Sequence, residues 1–296
     1  MVDFDVFTPE NVDELIREID NNQSNNFRFG AGYTDLLLEL RKQSGPKINV
    51  INLSKLKDPK FSAIEKTNDY IRIGSLVTAG EIVKNKEIQE LYPVLHQAAN
   101  TLASKQIRQV ATVGGNICTA SPAGDMATAL VALEAICEIL STKNEIREVP
   151  LKEFMTGVRK TTLKKNEILR SISIPLRFFA TLRMTKNKNY SDFIKIGTRK
   201  SMECAIVSLA YHFLIDDEDK IQYAGIAIGS SAPTIKFTKS ACDFLIGKRI
   251  KELNEDDITN FANKVIEYAT PISDIRGSEW YRKQVLFNIS KSILEV

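Results

Sequence analysis

Thr112-Val113-Gly114-Gly115-Asn116-Ile117-Cys118-Thr119-Ala120-Ser121-Pro122-Ala123-Gly124-Asp125 sets two adjacent glycines among short polar side chains. Glycine leaves no Cβ to hold a ligand away from the backbone. Thr112, Asn116, Thr119, Ser121 and Asp125 carry groups that are costly to bury unless each finds a hydrogen-bonding partner. The phosphates, ribitol and ribose hydroxyls of a dinucleotide supply such partners. The plainer alternative is a solvated Asx/Ser-rich loop. The flanks speak against a long floppy loop. Pro93 to Ala103 reads as an amphipathic helix with Val94, Leu95, Ala98, Ala99 and Leu102 on one face, and Met126 to Leu133 resumes as an alanine-rich helix.

Upstream stands a second glycine turn, Gly30-Ala31-Gly32-Tyr33-Thr34-Asp35, between a strand at Phe27-Arg28-Phe29 and a helix from Thr34 to Leu40. Backbone N–H groups crowded in such a turn, with a helix N-terminus behind them, form a seat for an anion. The turn lacks the third glycine of the Rossmann fingerprint, and strand–helix alternation fails downstream, which disfavours a nicotinamide dehydrogenase of that type. Thr8-Pro9-Glu10 reads as the start of the first helix, with Thr8 as N-cap, and Ile48 to Leu53 as a strand.

After Lys57-Asp58-Pro59 a new unit begins, with a strand at Tyr70–Gly74 and a capping box at Thr78-Ala79-Gly80-Glu81. Ile136 to Leu140 and Ile168 to Ile174 are strands, and Lys143-Asn144 is a hairpin tip. The basic, irregular stretch from Phe178 to Asn189 marks a boundary. Beyond it come three strands (Ser191 to Gly197, Cys204 to Ile215, Ile221 to Gly229), then helices near Lys239 to Leu245, Asp256 to Tyr268 and Glu279 to Leu294. Strands grouped before helices argue α+β for this part. The expected units are 1–57, 58–177 and 178–296.

The 296 residues suffice for two or three domains, and a net charge of +3, scattered along the chain, gives no reason to expect nucleic acid. Cys118, Cys137, Cys204 and Cys242 are dispersed without a C-x-x-C pair, so no zinc or iron–sulfur site is expected within the chain. No apolar run approaches the length that spans a bilayer, and no export signal is legible, so the expectation is a cytoplasmic protein. His96 and His212 read as core or satisfied positions rather than catalytic ones. Trp280 and Tyr281 read as packing residues, and Asp216-Asp217-Glu218-Asp219 as a solvated hairpin turn.

These motifs resemble the FAD-binding medium subunit of the xanthine dehydrogenase and carbon monoxide dehydrogenase family, over nearly the whole chain. Ala31-Gly32-Tyr33-Thr34-Asp35 matches the family's A-G-G-T-D-like turn except at Tyr33. Ile107-Arg108-Gln109-Val110-Ala111-Thr112-Val113-Gly114-Gly115-Asn116 and Ser121-Pro122-Ala123-Gly124-Asp125 match I-R-N-x-A-T-x-G-G-N followed by S-P-x-x-D. Glu167-Ile168-Leu169 matches E-I-L, Phe193-Ile194-Lys195 matches F-x-K, and Ser278 to Leu286 matches S-x-x-Y-R-x-x-L.

The resemblance implies an α+β protein. Two FAD-binding subdomains of the p-cresol methylhydroxylase/vanillyl-alcohol oxidase type precede a C-terminal three-stranded antiparallel sheet with a helical bundle. It implies FAD clasped between Phe29-Gly30-Ala31-Gly32-Tyr33-Thr34-Asp35 and Thr112-Val113-Gly114-Gly115-Asn116, with Thr119 and Asp125 bonding further along. Leu102 is expected near the ring system, Leu169 near the adenine and Lys195 near the flavin headgroup, with Leu36, Ala111 and Ile168 completing the set. Tyr33, where the family carries glycine, is expected to need a compensating contact, such as one with the flavin. No catalytic side chain and no metal ligand is expected here. Molybdopterin and 2Fe–2S clusters are implied in a large and a small partner subunit, with NAD(P)+ or another acceptor taking the electrons and no membrane involved. Within the family a nicotinate dehydrogenase FAD subunit is the narrower match. The alternative is a non-catalytic scaffold or assembly relative of the same fold.

Overall fold

Three larger sheets in succession, with one two-stranded sheet beside them, organise the described residues. The computed structural model describes residues 3–42, 44–176, 188–199 and 202–295. Residues 178–187 of the basic stretch expected as a boundary lie outside the described residues.

The first sheet is parallel: Phe4–Phe7 (β1), Phe27–Gly30 (β2) and Ile48–Asn52 (β3), in the order β1-β3-β2. Alternation along β3 sends Ile48 and Val50 to one face, where they meet Leu40 of the helix Leu36–Lys42. Ile51, with Leu53 just beyond the strand, joins Leu15 and Ile19 of the helix Val12–Asn22 in the neighbouring cluster. β1 has no counterpart in the sequence reading, because Val6 is 50% exposed and the strand lacks an apolar alternation. The first helix also starts later than Thr8. Asn11 is its N-cap, accepting from the Glu14 N–H at 2.9 Å, while Glu14 reaches back to the Glu10 N–H and the Asn11 amide. That reciprocal pairing outcompetes Thr8, whose hydroxyl accepts from Asn52 instead.

The second sheet comprises Ile64–Lys66 (β4), Tyr70–Gly74 (β5), Ile136–Ser141 (β6), Ile146–Pro150 (β7) and, after the small hairpin of Met155–Gly157 (β8) and Lys160–Thr161 (β9), Glu167–Pro175 (β10). Its order is β4-β5-β10-β6-β7, antiparallel throughout. Both halves of the Thr78–Glu81 capping box are present, and Asn144 turns the β6–β7 hairpin at φ +59°.

In the third sheet, Lys188–Ile196 (β11), Val207–Ile215 (β12) and Ile221–Gly229 (β13) are the three expected long strands, and two-residue Lys236–Phe237 (β14) adds a fourth at the edge. One face packs against the helices Lys239–Leu245, Glu255–Ile266 and Glu279–Ser292. On the other face β13 presents a run of small residues. Gly225, Ala227 and Gly229 alternate onto one side of β13, and a Cβ on Gly225 would lie 2.0 Å from the Ala132 carbonyl oxygen. The helix Asp125–Ala132 therefore rests its last turn directly on the strand, and its first turn sits over Gly229, where a Cβ would lie 2.7 Å from Thr128 Oγ1.

Trp280 departs from its expected packing role: it is 72% exposed. Arg282 is the buried member of that motif, donating to the carbonyls of Ile206 and Ser230 and to Asp274. A single helix face cannot bury Trp280 and Arg282 together with Leu286. His212 is a core residue as expected, its Nδ1 3.0 Å from Ser191 Oγ, with burial lowering its pKa to about 3.

Candidate cofactor site

The two glycine segments meet. An ideal Cβ on Gly32 would lie 1.9 Å from the carbonyl oxygen of Val110, so only glycine lets the first turn rest against the second segment. From Ala31 to Asp35, five consecutive backbone N–H groups have no acceptor among the described residues. Tyr33 sits within this run at φ +59°, and a left-handed residue among neighbours of ordinary hand curls successive N–H groups into an anion-binding concavity.

The second segment is not a loop throughout. Val113–Cys118 is a short helix capped by Thr112, whose hydroxyl accepts from the Gly115 N–H at 3.0 Å. Val113 and Gly114 donate to the carbonyls of Val77 and Ser75, both at 2.8 Å, and Asn116 donates to the Thr112 carbonyl. The N–H groups of Val113 to Asn116 are thus already paired within the protein, whereas those of the first turn are not. Its glycines have different tasks. A Cβ on Gly114 would lie 2.6 Å from Ser75 Cβ, so Gly114 admits the backing chain. At Gly115 the sole neighbour within 4 Å is Thr112 Oγ1, at 2.9 Å, and the remaining space is open. Asn116 and Thr119 are half-buried. Asn116 Oδ1 accepts from the Ala127 N–H, while its Nδ2 and the Thr119 hydroxyl have no partner among the described residues.

Asp125 and Lys195 form the polar centre. Strand register gives Lys195 the same face as Phe193, Ser208, Ala210, Ala227 and Gly229, beneath the first turn of the helix resting there. Lys195 Nζ donates to Asp125 Oδ2 at 2.6 Å, with the two side chains 13% and 5% exposed. Asp125 Oδ1 is buried without a partner. Burial pushes the Asp125 carboxyl up to about 6, against the opposing pull of Lys195. A buried carboxylate oxygen with no donor beside it is an acceptor available to a hydroxyl or N–H group.

A family model described as the FAD binding domain in molybdopterin dehydrogenase matches residues 2–177, and one for the CO dehydrogenase flavoprotein C-terminal domain matches residues 192–295. The chain belongs to the FAD-binding family of molybdopterin dehydrogenases. It is 26% identical over 288 residues to the glyceraldehyde dehydrogenase medium chain of Sulfolobus acidocaldarius, covering 96% of this chain and 94% of that one. It is 27% identical over 297 residues to the nicotinate dehydrogenase FAD-subunit of Eubacterium barkeri, covering 99% and 95%. The carbon monoxide dehydrogenase of Hydrogenophaga pseudoflava shares its fold at a TM-score of 0.88 and 22% identity, over 99% of this chain and 96% of that one.

The remaining expected positions fall in three different apolar clusters. Leu102 ends the helix Pro93–Thr101, and Arg108 Nη1 donates to its carbonyl at 2.9 Å and to that of Ala103 at 3.3 Å. This makes Arg108 a positioning residue that the sequence signalled only as part of a motif. Ala111 is buried and accepts from the Ala79 N–H. Ile168 and Leu169 are adjacent on β10 and face opposite clusters, so their side chains do not meet at one surface. Phe29 packs edge-on to Phe27 at 5.4 Å, and Leu36 borders the Leu40–Ile48–Val50 cluster. Glu167 of the E-I-L motif is held by Arg147 at 2.8 and 2.9 Å, which lowers its pKa. Among the described residues no cluster of three or more His, Cys, Asp or Glu is arranged to hold a metal, and no helix is long and apolar enough to cross a membrane.

Proposed function

We propose that this chain is the electron-relay subunit of a multi-subunit molybdenum hydroxylase, standing between iron–sulfur clusters of a partner and NAD(P)+ or another acceptor. The observation that carries the reading is the row of unpartnered N–H groups from Ala31 to Asp35, brought by Gly32 against the second glycine segment. The residues present fit FAD. The Ala31–Asp35 backbone would receive the diphosphate, Gly115 would leave room for its approach, and Asn116 and Thr119 would bond the neighbouring hydroxyls. Asp125 would accept a hydroxyl through its free oxygen, while Lys195 holds the carboxylate in place and lies toward the flavin headgroup. Phe29, Gly30, Leu36, Leu102, Ala111, Thr112, Val113, Gly114, Ile168 and Leu169 shape or back this seat. FAD, when bound, supplies the redox chemistry, and the protein supplies binding, orientation and electrostatics.

Residues 1–57 and 58–177 form the two FAD-binding subdomains in this proposal, and 178–296 the C-terminal domain. The molybdopterin subunit and the 2Fe–2S subunit are separate chains. Relatives named for glyceraldehyde, xanthine and nicotinate dehydrogenases support the class, and nicotinate is the narrower substrate we favour for the holoenzyme. Four free cysteines support a cytoplasmic location.

Stopped-flow absorbance at the flavin bands tests the proposal. The purified chain should carry flavin, be reduced by NADH, NADPH or dithionite, and stay oxidised with a hydroxylation substrate until partner chains are added. Substrate bleaching the isolated chain would overturn the relay reading. A chain that takes up no flavin would indicate a scaffold.

A further inference from the structure

We infer that Tyr33 is a positioning residue for the diphosphate turn: its ring, seated over Gly30, holds residue 33 left-handed and keeps the Ala31–Asp35 N–H groups aligned before a ligand arrives. This rests on the FAD reading and adds to it a device built into the turn.

A tyrosine at φ +59° is costly, since its Cβ crowds the neighbouring carbonyl, and unlike asparagine it has no short polar group to bond locally. Such a conformation persists only where the surroundings fix it. Here the fixing contact is visible. An ideal Cβ on Gly30 would lie 2.4 Å from Tyr33 Cζ and Oη and 2.6 Å from Cε1, so the ring occupies volume that any other residue at position 30 would fill. Gly30 does not have a positive φ, so its lack of a side chain serves space rather than conformation. The ring also borders the buried cluster of Leu40, Ile48 and Val50, beside Phe4 and Leu36. The hydroxyl makes no hydrogen bond among the described residues, and burial raises its pKa, in keeping with apolar surroundings. The ring, not the hydroxyl, is therefore the holding element. The compensation expected from a ligand is supplied by the protein itself.

With glycine at position 33 the turn still reaches the left-handed region but also reaches many others, and binding must then order it. The expected loss is about tenfold in affinity, or about 1.4 kcal/mol, of the order of fixing one residue's backbone. The loss should fall on ligands that use the turn.

The test measures FAD, ADP and riboflavin binding to the deflavinated full chain by titration calorimetry, with thermal unfolding of each variant. Tyr33→Gly should weaken FAD and ADP about tenfold each and leave riboflavin unchanged, while Tyr33→Phe should bind like wild type. Gly30→Ala should match Tyr33→Gly, because the new methyl evicts the ring. The double variant should be no worse than either single one, because the methyl then finds the space empty. Wild-type ADP and FAD affinity in Tyr33→Gly would overturn the inference. So would equal loss of riboflavin, equal loss in Tyr33→Phe, or additive losses in the double variant. A wild-type chain that binds neither FAD nor ADP would overturn the FAD reading and this inference with it. Binding of both, unaffected by Tyr33→Gly, overturns the inference alone.

Discussion

Removing the Asp125 carboxylate separates what the residue does for the fold from what it does for the ligand. In Asp125→Ala, Lys195 loses a partner at 2.6 Å while its own side chain is only 13% exposed. An ammonium stranded in that way costs about 3–5 kcal/mol of stability. The ligand loses the Oδ1 acceptor, which is buried and free in the protein. A hydrogen bond from a hydroxyl to a charged acceptor is worth about 1.5–3 kcal/mol, so FAD should bind one to two decades more weakly, at about 1.4 kcal/mol per decade. Asp125→Ala/Lys195→Met resolves the two effects, because it removes the stranded charge with the carboxylate. Denaturant unfolding of the double variant should recover most of the lost stability, while calorimetry of the deflavinated protein still shows FAD one to two decades down. Lys195→Met alone completes the cycle and isolates the contribution of the lysine. Wild-type FAD affinity in the double variant would refute the assignment of Asp125 as a ligand.

Gly115→Val should expel FAD, since the open side of Gly115 becomes occupied; it should also cost about 1 kcal/mol of stability through the Thr112 cap, which a new Cβ would press at 2.9 Å. Full flavin occupancy with unchanged affinity would show that the diphosphate lies elsewhere. His212 is neutral in the fold, with its pKa lowered from 6.5 to about 3 by burial, so the unfolded chain gains the proton first. The stability this residue contributes is complete above pH 6.5 and is lost as pH falls towards 3, by about 3 kcal/mol at pH 4. Urea unfolding at pH 7 and pH 4 should show a smaller decline in His212→Gln than in wild type, and equal declines would place the acid sensitivity elsewhere.

The elements that the sequence determined are those governed by local torsion and face. Thr78 and Glu81 cap each other three residues apart, Asn144 turns a hairpin, and Pro93 to Thr101 stacks its apolar residues on one side. The glycine motifs were likewise legible, because a missing Cβ is a property of the residue itself. β1 is not legible in the sequence because an exposed edge strand carries little alternation, and Thr8 is not the cap because Asn11 paired with Glu14 offers the stronger one.

The tertiary structure alone decided which of these features meet. Lys195 and Asp125 are 70 residues apart and become partners through β-sheet register and the small face of Gly225, Ala227 and Gly229 on which the helix rests. The carbonyls of Val77 and Ser75, remote in sequence, take the N–H groups of Val113 and Gly114, and the Thr112 hydroxyl takes that of Gly115, so of the two segments it is the Ala31–Asp35 turn whose N–H groups lack acceptors among the described residues. Tyr33 is tolerable because the residue its ring covers is Gly30. Local sequence specifies conformational preference and the polarity of a face, while burial and hydrogen-bond satisfaction depend on what the rest of the chain brings to that face.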